Sequence, residues 1–398
     1  MRLRDSGLLD KELIPFYVYY TVAFMGAATV ITFLNIYFQE YLGFTLSQIG
    51  VITSIGPVIS IFAQPMWGVL SDRTNKRVVL MILMAATIVV SLLFPLHYTL
   101  VYVAIISAIH TMFSRSTGPL CDAIALQFLE TKRVKFNTIR MIGTISYALM
   151  AAVVGHLIGD NFARIFYFNA VFMGIALFAV FYMPDLQKTA AAKLAAPPLK
   201  DSLWELFRNK MVLCILATTL VFGLTMTFYH AFLGIQLRYI GASEVQVGRA
   251  LFISAASEIP VLLFVNKLFG KRKPLHLLMI VGFFMTIRLV MLFISDAQGS
   301  LAIVYASQLL HGITFMVHFY FTVVLLNAHA PVHIKSTVQS LNAVIMAVAA
   351  LIGAGIGGHL AGQLGIGTVY LILAVFVFAL CFVLPGVFWL VYREKVLD

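Results

Sequence analysis

The chain has 398 residues, of which 61% are hydrophobic and only 11% charged, and its mean hydropathy is +0.98, whereas a soluble domain carries about 25% charged residues. A soluble globular protein is excluded on that balance, and a β-barrel by the absence of alternating apolar and polar residues; in lipid this leaves an all-α polytopic membrane protein that satisfies its own backbone hydrogen bonds. The net charge of +11 does not signal nucleic acid, because it is spread over short basic connections between apolar runs.

At about 20 residues per crossing, the apolar runs place twelve helices near residues 14–37, 47–70, 78–96, 99–127, 138–159, 163–183, 210–238, 246–268, 275–295, 300–328, 336–363 and 367–392. The N-terminus, MRLRDSGLLDKELIP, is basic but has no small-residue cleavage site, so it reads as the entry to a retained first helix. All of the 27 Lys and Arg except Arg115, Arg140, Arg164, Arg238, Arg249 and Arg288 fall on the termini or on alternate connections. By the positive-inside rule both termini are expected in the cytoplasm, in keeping with an even number of spans.

The longest connection, rich in Ala, Pro and Lys, divides the chain into an expected N-terminal bundle of six helices (1–183), a cytoplasmic linker (184–209) and a C-terminal bundle of six (210–398). Within the linker, Trp204 to Phe207 suits a short interfacial helix. A shift of 195 residues superimposes Pro65, Lys76 and Arg77 on Pro260, Lys271 and Arg272, placing similar strings on the second cytoplasmic hairpin of each half, as a duplicated unit would.

The second span closes with Gly68, Asp72, Arg73, Asn75, Lys76 and Arg77. Gly68 is expected at a close helix contact and Asp72 as an acceptor for a helix N-terminus or a basic group across the bundle, with Arg73 and Arg77 holding the cytoplasmic face. Ordinary positive-inside anchoring explains the cations but not the spacing.

In the fourth and fifth spans Asp122 and Arg140 lie inside apolar helices, where a charge costs at least ~2.5 kcal/mol and is kept for a partner or a function. They are expected to line a water-accessible cavity and hold a solute, the alternative being a structural ion pair that clamps two helices. Arg115 precedes Asp122 by two helical turns on the same face. It is expected to neutralise Asp122, to meet an anionic solute, or to pair with a helix carbonyl or with Glu258. In the C-terminal half, Glu258, Arg288 and His311 are likewise flanked by apolar residues. The antiparallel eighth and ninth spans put Glu258 and Arg288 at similar depth, so these two are expected to pair. His318 is expected to stack below His311 with Thr314 between them as a polar lining, whereas His110, His230 and His359 read as packing residues. Two histidines without a third ligand make no metal site. The run Gly353 to Gly358 suits close helix packing, and Cys121, Cys214 and Cys381 read as small core residues without a disulfide.

The Gly68, Asp72, Arg73, Arg77 spacing resembles the loop signature of the major facilitator superfamily, with Asn75 in place of a second glycine. Within it the chain is similar to the lactose permease group of oligosaccharide:proton symporters over most of its length. The string from Gln64 to Arg73 and the separation of Asp122 from Arg140, followed by Met141, Ile142 and Gly143, carry that similarity. The resemblance implies that Asp122 and Arg140 bind solute hydroxyls, that Tyr147 stacks on a ring where the group has Trp, and that Glu258, Arg288 and His311 couple proton to solute. Two positions depart from the group: Thr314 replaces an acidic residue and Val261 a solute-contacting Asn.

The expected function is thus that of a secondary transporter, a proton-coupled symporter importing a saccharide, a glycoside or a similar polar solute by alternating access. A carrier of aromatic acids or nucleosides, or an exporter, is the second expectation. The partners would be the solute, protons and the lipid bilayer of the cell membrane, for a monomer with no cofactor and no nucleic acid. No hydrolase or metalloprotease motif points to an enzyme.

Overall fold

The computed structural model describes residues 10–130, 132, 134, 136–159, 161–184, 210–269, 274–318, 322 and 335–383. The linker expected at 184–209 lies outside these beyond Pro184, as do the Trp204 segment, Lys271 and Arg272 of the second repeat copy, and the side chain of Cys214.

Twelve helical rods follow one another among the described residues. In the N-terminal half they are α1 Ile14–Ile36, α2 Leu46–Arg73, α3 Lys76–Leu93, α4 Leu100–Leu129, α5 Phe136–Ile158 and α6 Arg164–Phe181. The C-terminal half adds α7 Lys210–Tyr239, α8 Glu244–Phe269, α9 Pro274–Gln298, and α10, which is Leu301–Leu309 followed by a π turn at Ile313–Val317. In α11 the helix Lys335–Ala350 runs through a π turn at Leu351–Ile356 into Gly357–Leu364, and α12 is Ile366–Phe378. Eight of these are long and apolar enough to cross a bilayer, and the apolar stretches Leu301–Val317 and Ile366–Phe382 are shorter. The two rods outside that set, α4 and α8, are the ones that carry Arg115 and Asp122, and Glu258.

Local chemistry sets the boundaries. Pro15 opens α1, where its missing N–H is an orphan in any case. Asn75 caps α3 by accepting from the N–H groups of Arg77 and Val78, with φ −126° and ψ 117°. The residue that stands in place of the signature's second glycine is therefore an extended N-cap. Gly159 and Gly365 end α5 and α11 at φ 50° and 85°, a region that favours glycine.

The chain forms two compact units, the first made of residues 1–44, 55–192 and 243–252 and the second of 45–54, 193–242 and 253–398. In the first, α1 packs on α5 and α6, and α3 on α4 and α6. In the second, α7 packs on α11 and α12, and α9 on α10 and α12. Each pairing recurs six helices later, which is the internal repeat written in packing. Since lipid is as apolar as the side chains, close backbone approach and interhelical hydrogen bonds hold such helices together. Gly353 lies against the Leu224 carbonyl and Gly358 against that of Leu46, so the glycine run of α11 serves close packing as expected. A buried polar chain crosses the first unit: Asn169 donates to the Gly26 carbonyl (2.9 Å), Ser91 donates to Asn169 (3.0 Å), and His110 lies 3.2 Å from Ser91. Cys121 and Cys381 are buried free thiols.

Between α4 and α5, Lys132 donates to Asp10 (2.8 Å) and to Glu12, clasping the short 3-10 helix Lys11–Leu13 that leads into α1. The Lys132 hydrogen bond holds the Asp10 carboxyl below its usual range, and the two carboxylates hold the Lys132 ammonium above its own. The depressed acid contributes above its unfolded pKa, near 4, and is lost only as pH falls below that; the raised base contributes below about 10.4 and is lost only at higher pH. The clasp is accordingly expected to be insensitive to pH between about 5 and 9. Lys132→Ala is expected to speed amide hydrogen exchange over residues 10–14 throughout that window, and unaltered exchange would show that the clasp holds nothing.

Candidate functional site

The first cluster grows from a defect in α4. Pro119 cannot donate to the carbonyl of Arg115 four residues earlier, and the side-chain amide of Gln64 on α2 donates to that carbonyl instead, at 3.4 Å. The Trp67 indole N–H donates to the Met112 carbonyl at 2.9 Å. These two bonds tie the middle of α4 to α2. Three residues beyond Pro119, the Asp122 carboxylate uses both oxygens: Oδ1 accepts from the Tyr20 hydroxyl at 2.5 Å, and Oδ2 lies 3.7 Å from Arg140 Nε. The guanidinium of Arg140 sits over the Phe24 ring, 4.4 Å from its centroid. Gly143 makes that possible, since a Cβ there would stand 2.9 Å from Phe24 Cγ. Arg140 and Asp122 are 40% and 29% exposed, so the pair is accessible and not sealed into the core.

Asp122 and Arg140 are therefore brought together as the spacing predicted. Tyr147, half-buried on α5, follows Arg140 by two turns. Because α4 and α5 run antiparallel, it stands level with Arg115, two turns before Asp122. Arg115 is exposed and makes no ion pair among the described residues, so the expected neutralisation of Asp122 does not occur. The partners that sequence reasoning missed are Tyr20 and Phe24. Their signal was there, one turn apart in a Tyr-rich first span.

The second cluster lies where α8, α9, α10 and α7 meet. His311 Nε2 is 3.3 Å from Glu258 Oε1, with side-chain exposures of 4% and 14%. Arg288, buried to 1%, does not take Glu258 as its direct partner. Its Nη1 donates to Thr314 and its Nη2 to Gln308, each at 3.3 Å, and its guanidinium lies 4.0 Å from the centroid of the Tyr229 ring. The Tyr229 hydroxyl donates to the same Gln308 oxygen. The expected pairing of Glu258 with Arg288 is corrected on this point. An aromatic face and two neutral acceptors already occupy the guanidinium, and His311 meets the carboxylate. Gln308 and Tyr229 were not foreseen, although Gln308 precedes His311 by one turn.

Beyond the π turn at Ile313–Val317, His318 stacks on Phe222 with centroids 4.4 Å apart, while His311 stacks on Tyr229, seven residues further along α7, at 5.7 Å. Other expectations change here. His230 flanks His311 at 5.9 Å and so belongs to the cluster. His359 is exposed on α11, bonded to Ser47 and Gln363 and not packed in a core. At the end of α2, a Cβ on Gly68 would meet nothing within 4 Å among the described residues, so the predicted close contact is not found there. Asp72 pairs locally with Lys76 at 3.8 Å, while Arg77 donates to the Met183 carbonyl at 2.7 Å and ties α3 to the end of α6. Among the described residues no group of three His, Cys, Asp or Glu could hold a metal.

Comparison with known proteins matches this architecture. The profile of the MFS_1 like family covers residues 13–390. The uncharacterized transporter YwbF of Bacillus subtilis (strain 168) is 26% identical over 330 residues, 82% of this chain and 81% of that one. The maltose permease of Geobacillus stearothermophilus is 25% identical over 372 residues, 92% of this chain and 91% of the permease. Among solved structures, the nucleoside transporter NupG superposes with a TM-score of 0.83 at 17% identity, over 95% of this chain and all but 1% of that one, since 99% of it is covered. An auto-inhibited POT family peptide transporter superposes with a TM-score of 0.74 at 11% identity, over 98% of each chain. Both structures share the fold at low identity. Charged residues within apolar helices, a packing scheme that repeats after six helices and a family match over nearly the whole chain together make this a multi-pass membrane transporter, not an enzyme, and a member of the MFS_1 like family.

Proposed function

We propose that the chain is a secondary active transporter that imports a small polar organic solute together with protons by alternating access. The observation that carries this is the accessible Asp122–Arg140 pair inside α4 and α5, with Tyr20 donating to the carboxylate. Carboxylate and guanidinium supply charge-assisted acceptor and donor geometry for hydroxyls, and Tyr147 offers an aromatic face to a ring. The similarity to a maltose permease supports a saccharide or glycoside as the first class to test.

For the proton we assign Glu258, with His311 as its immediate partner and Arg288 as the fixed cation behind them. Thr314 cannot exchange a proton and is already bonded to Arg288. One proton moving down 100 mV supplies ~2.3 kcal/mol, enough for roughly fiftyfold accumulation at ~1.4 kcal/mol per tenfold. The proposal also places both termini in the cytoplasm of a monomer in the cell membrane, with six-helix bundles at 1–183 and 210–398. The Lys and Arg bias supports that orientation. Gly68, Asp72, Arg73 and Arg77 form the cytoplasmic element that would change with the transport state.

The test is uptake of labelled maltose, uridine and glucuronate by vesicles containing the purified protein. With acid outside, net accumulation of at least one of the three is expected for the wild type. Glu258→Gln is expected to keep solute counterflow while losing accumulation by at least tenfold. Solute leaving the vesicles under the same gradient would make the protein an antiporter and overturn the import reading.

A further inference from the structure

We propose that the solute is an organic anion, a small monocarboxylate bearing one ring, and that Arg115 is the residue that holds its carboxylate. This rests on Asp122 and Arg140 being the solute site, and adds the solute's charge.

Position is the first argument. Arg115 lies midway along α4, Leu100–Leu129, so either end of the helix is about 20 Å away at ~1.5 Å per residue. No arginine side chain reaches that far to snorkel. Arg115 as a residue is exposed, and charges of this kind turn away from lipid, towards water or an ionic partner. Its depth is also set firmly, since Gln64 binds the backbone carbonyl of Arg115 that Pro119 leaves unpaired.

Charge is the second. The first unit's site holds one carboxylate, Asp122, against two guanidiniums, Arg140 and Arg115. Asp122 is already shared between Tyr20 and Arg140, and Glu258 in the second unit has His311. Arg115 therefore has no protein counter-charge among the described residues. Donors are also in excess: Arg140 approaches Asp122 only through Nε and only to 3.7 Å, and its terminal amino groups donate to no acceptor among the described residues. A neutral polyol would leave one intramembrane cation uncompensated both before and after binding, whereas a monoanion brings the site to neutrality.

Dimensions narrow the class. Arg115 and Asp122 are seven residues apart, about 10 Å along the axis, and Tyr147 is level with Arg115. A carboxylate at Arg115 thus has a ring face beside it, and a hydroxyl about one ring further along reaches Asp122 and Arg140. Hydroxylated aromatic acids and sugar acids both fit, and the test separates them.

Binding to the purified full-length protein is measured by thermal shift and by titration for two matched pairs, 4-hydroxyphenylacetate with 4-hydroxyphenylacetamide and glucuronate with glucose. In at least one pair the acid is expected to bind ten or more times tighter than its neutral partner. Arg115→Gln is expected to abolish that preference by weakening the acid at least tenfold and the neutral partner less than twofold. Arg115→Lys, which keeps the charge, is expected to retain most of it. The proposal is overturned if neither acid binds tighter than its partner, or if the preference survives in Arg115→Gln; should that variant not fold, the wild-type comparison decides. Arg140→Gln separates the two levels of inference: weakened binding of every ligand with the acid preference absent defeats only the anion proposal, while binding unchanged by Arg140→Gln defeats the solute site itself.

Discussion

Asp122→Asn is expected to lower affinity for the solute that the vesicles accumulate by about a hundredfold, equivalent to ~2.7 kcal/mol at ~1.4 kcal/mol per tenfold. Asparagine keeps the size of the side chain and one oxygen to accept from Tyr20, so the substitution removes the charge and little else. A charge-assisted hydrogen bond contributes about 1.5–3 kcal/mol, and Arg140 loses the anion that keeps it beside the site. Arg140→Ala is expected to match that loss, and the double variant to exceed neither single one by much, because the two residues act as a pair. Titration of the purified variants, with unliganded thermal transitions close to the wild type, is the measurement. Solute affinity that is unchanged in both single variants would reduce the pair to a helix clamp.

The second large effect concerns Gly312→Ala. A Cβ at this position would stand 2.6 Å from the Ser257 carbonyl carbon and 3.0 Å from the Glu258 backbone nitrogen. Both neighbours are backbone, so no side chain can swing aside and α10 has to move away from α8. The Gly312 N–H also donates to Ser257 Oγ at 2.8 Å, and that bond lengthens with the same movement. Overpacking of this kind costs about 1–3 kcal/mol. Its functional consequence is larger, since His311 is the adjacent residue and its 3.3 Å contact with Glu258 cannot survive a separation of an ångström or more. Gly312→Ala is therefore expected to lower the thermal transition and to lose proton-driven accumulation at the same time. Gly174→Ala is the control, because a Cβ there meets nothing within 4 Å and the change is expected to be nearly silent. Equal stability of the two variants would contradict the close α8–α10 approach.

Much of the first cluster was legible because its residues are consecutive in space for local reasons. Asp122 and Arg140 sit on two helices joined by a tight turn, and counting turns from that hairpin brings them level. Arg115 follows by counting two turns back from Asp122, whereas Tyr147 comes from the family resemblance. The second cluster was legible only as a set of members. Glu258, Arg288 and His311 announce themselves as charges in apolar runs, but three residues on three helices admit several pairings. Which one forms depends on rotations that no spacing rule contains. Arg288 shows why: Thr314 and Gln308 accept from its guanidinium, and His311 is the residue left to meet Glu258. Gly68 failed in the opposite sense. Small residues permit a close approach without requiring one, and here no described residue comes within 4 Å of a Cβ at that position.

Composition and periodicity by themselves determined that this is a twelve-helix membrane protein with a repeat after six helices and charges kept inside four of its spans. Those features follow from the absence of water in the bilayer, a constraint that acts on every residue independently of its neighbours. Tertiary structure alone decided that Tyr20 shares Asp122 with Arg140, that His311 and not Arg288 meets Glu258, and that Arg115 makes no ion pair among the described residues. Such choices turn on differences of an ångström and a rotamer between helices distant in sequence, where several arrangements satisfy the same pattern and only the packed whole selects one.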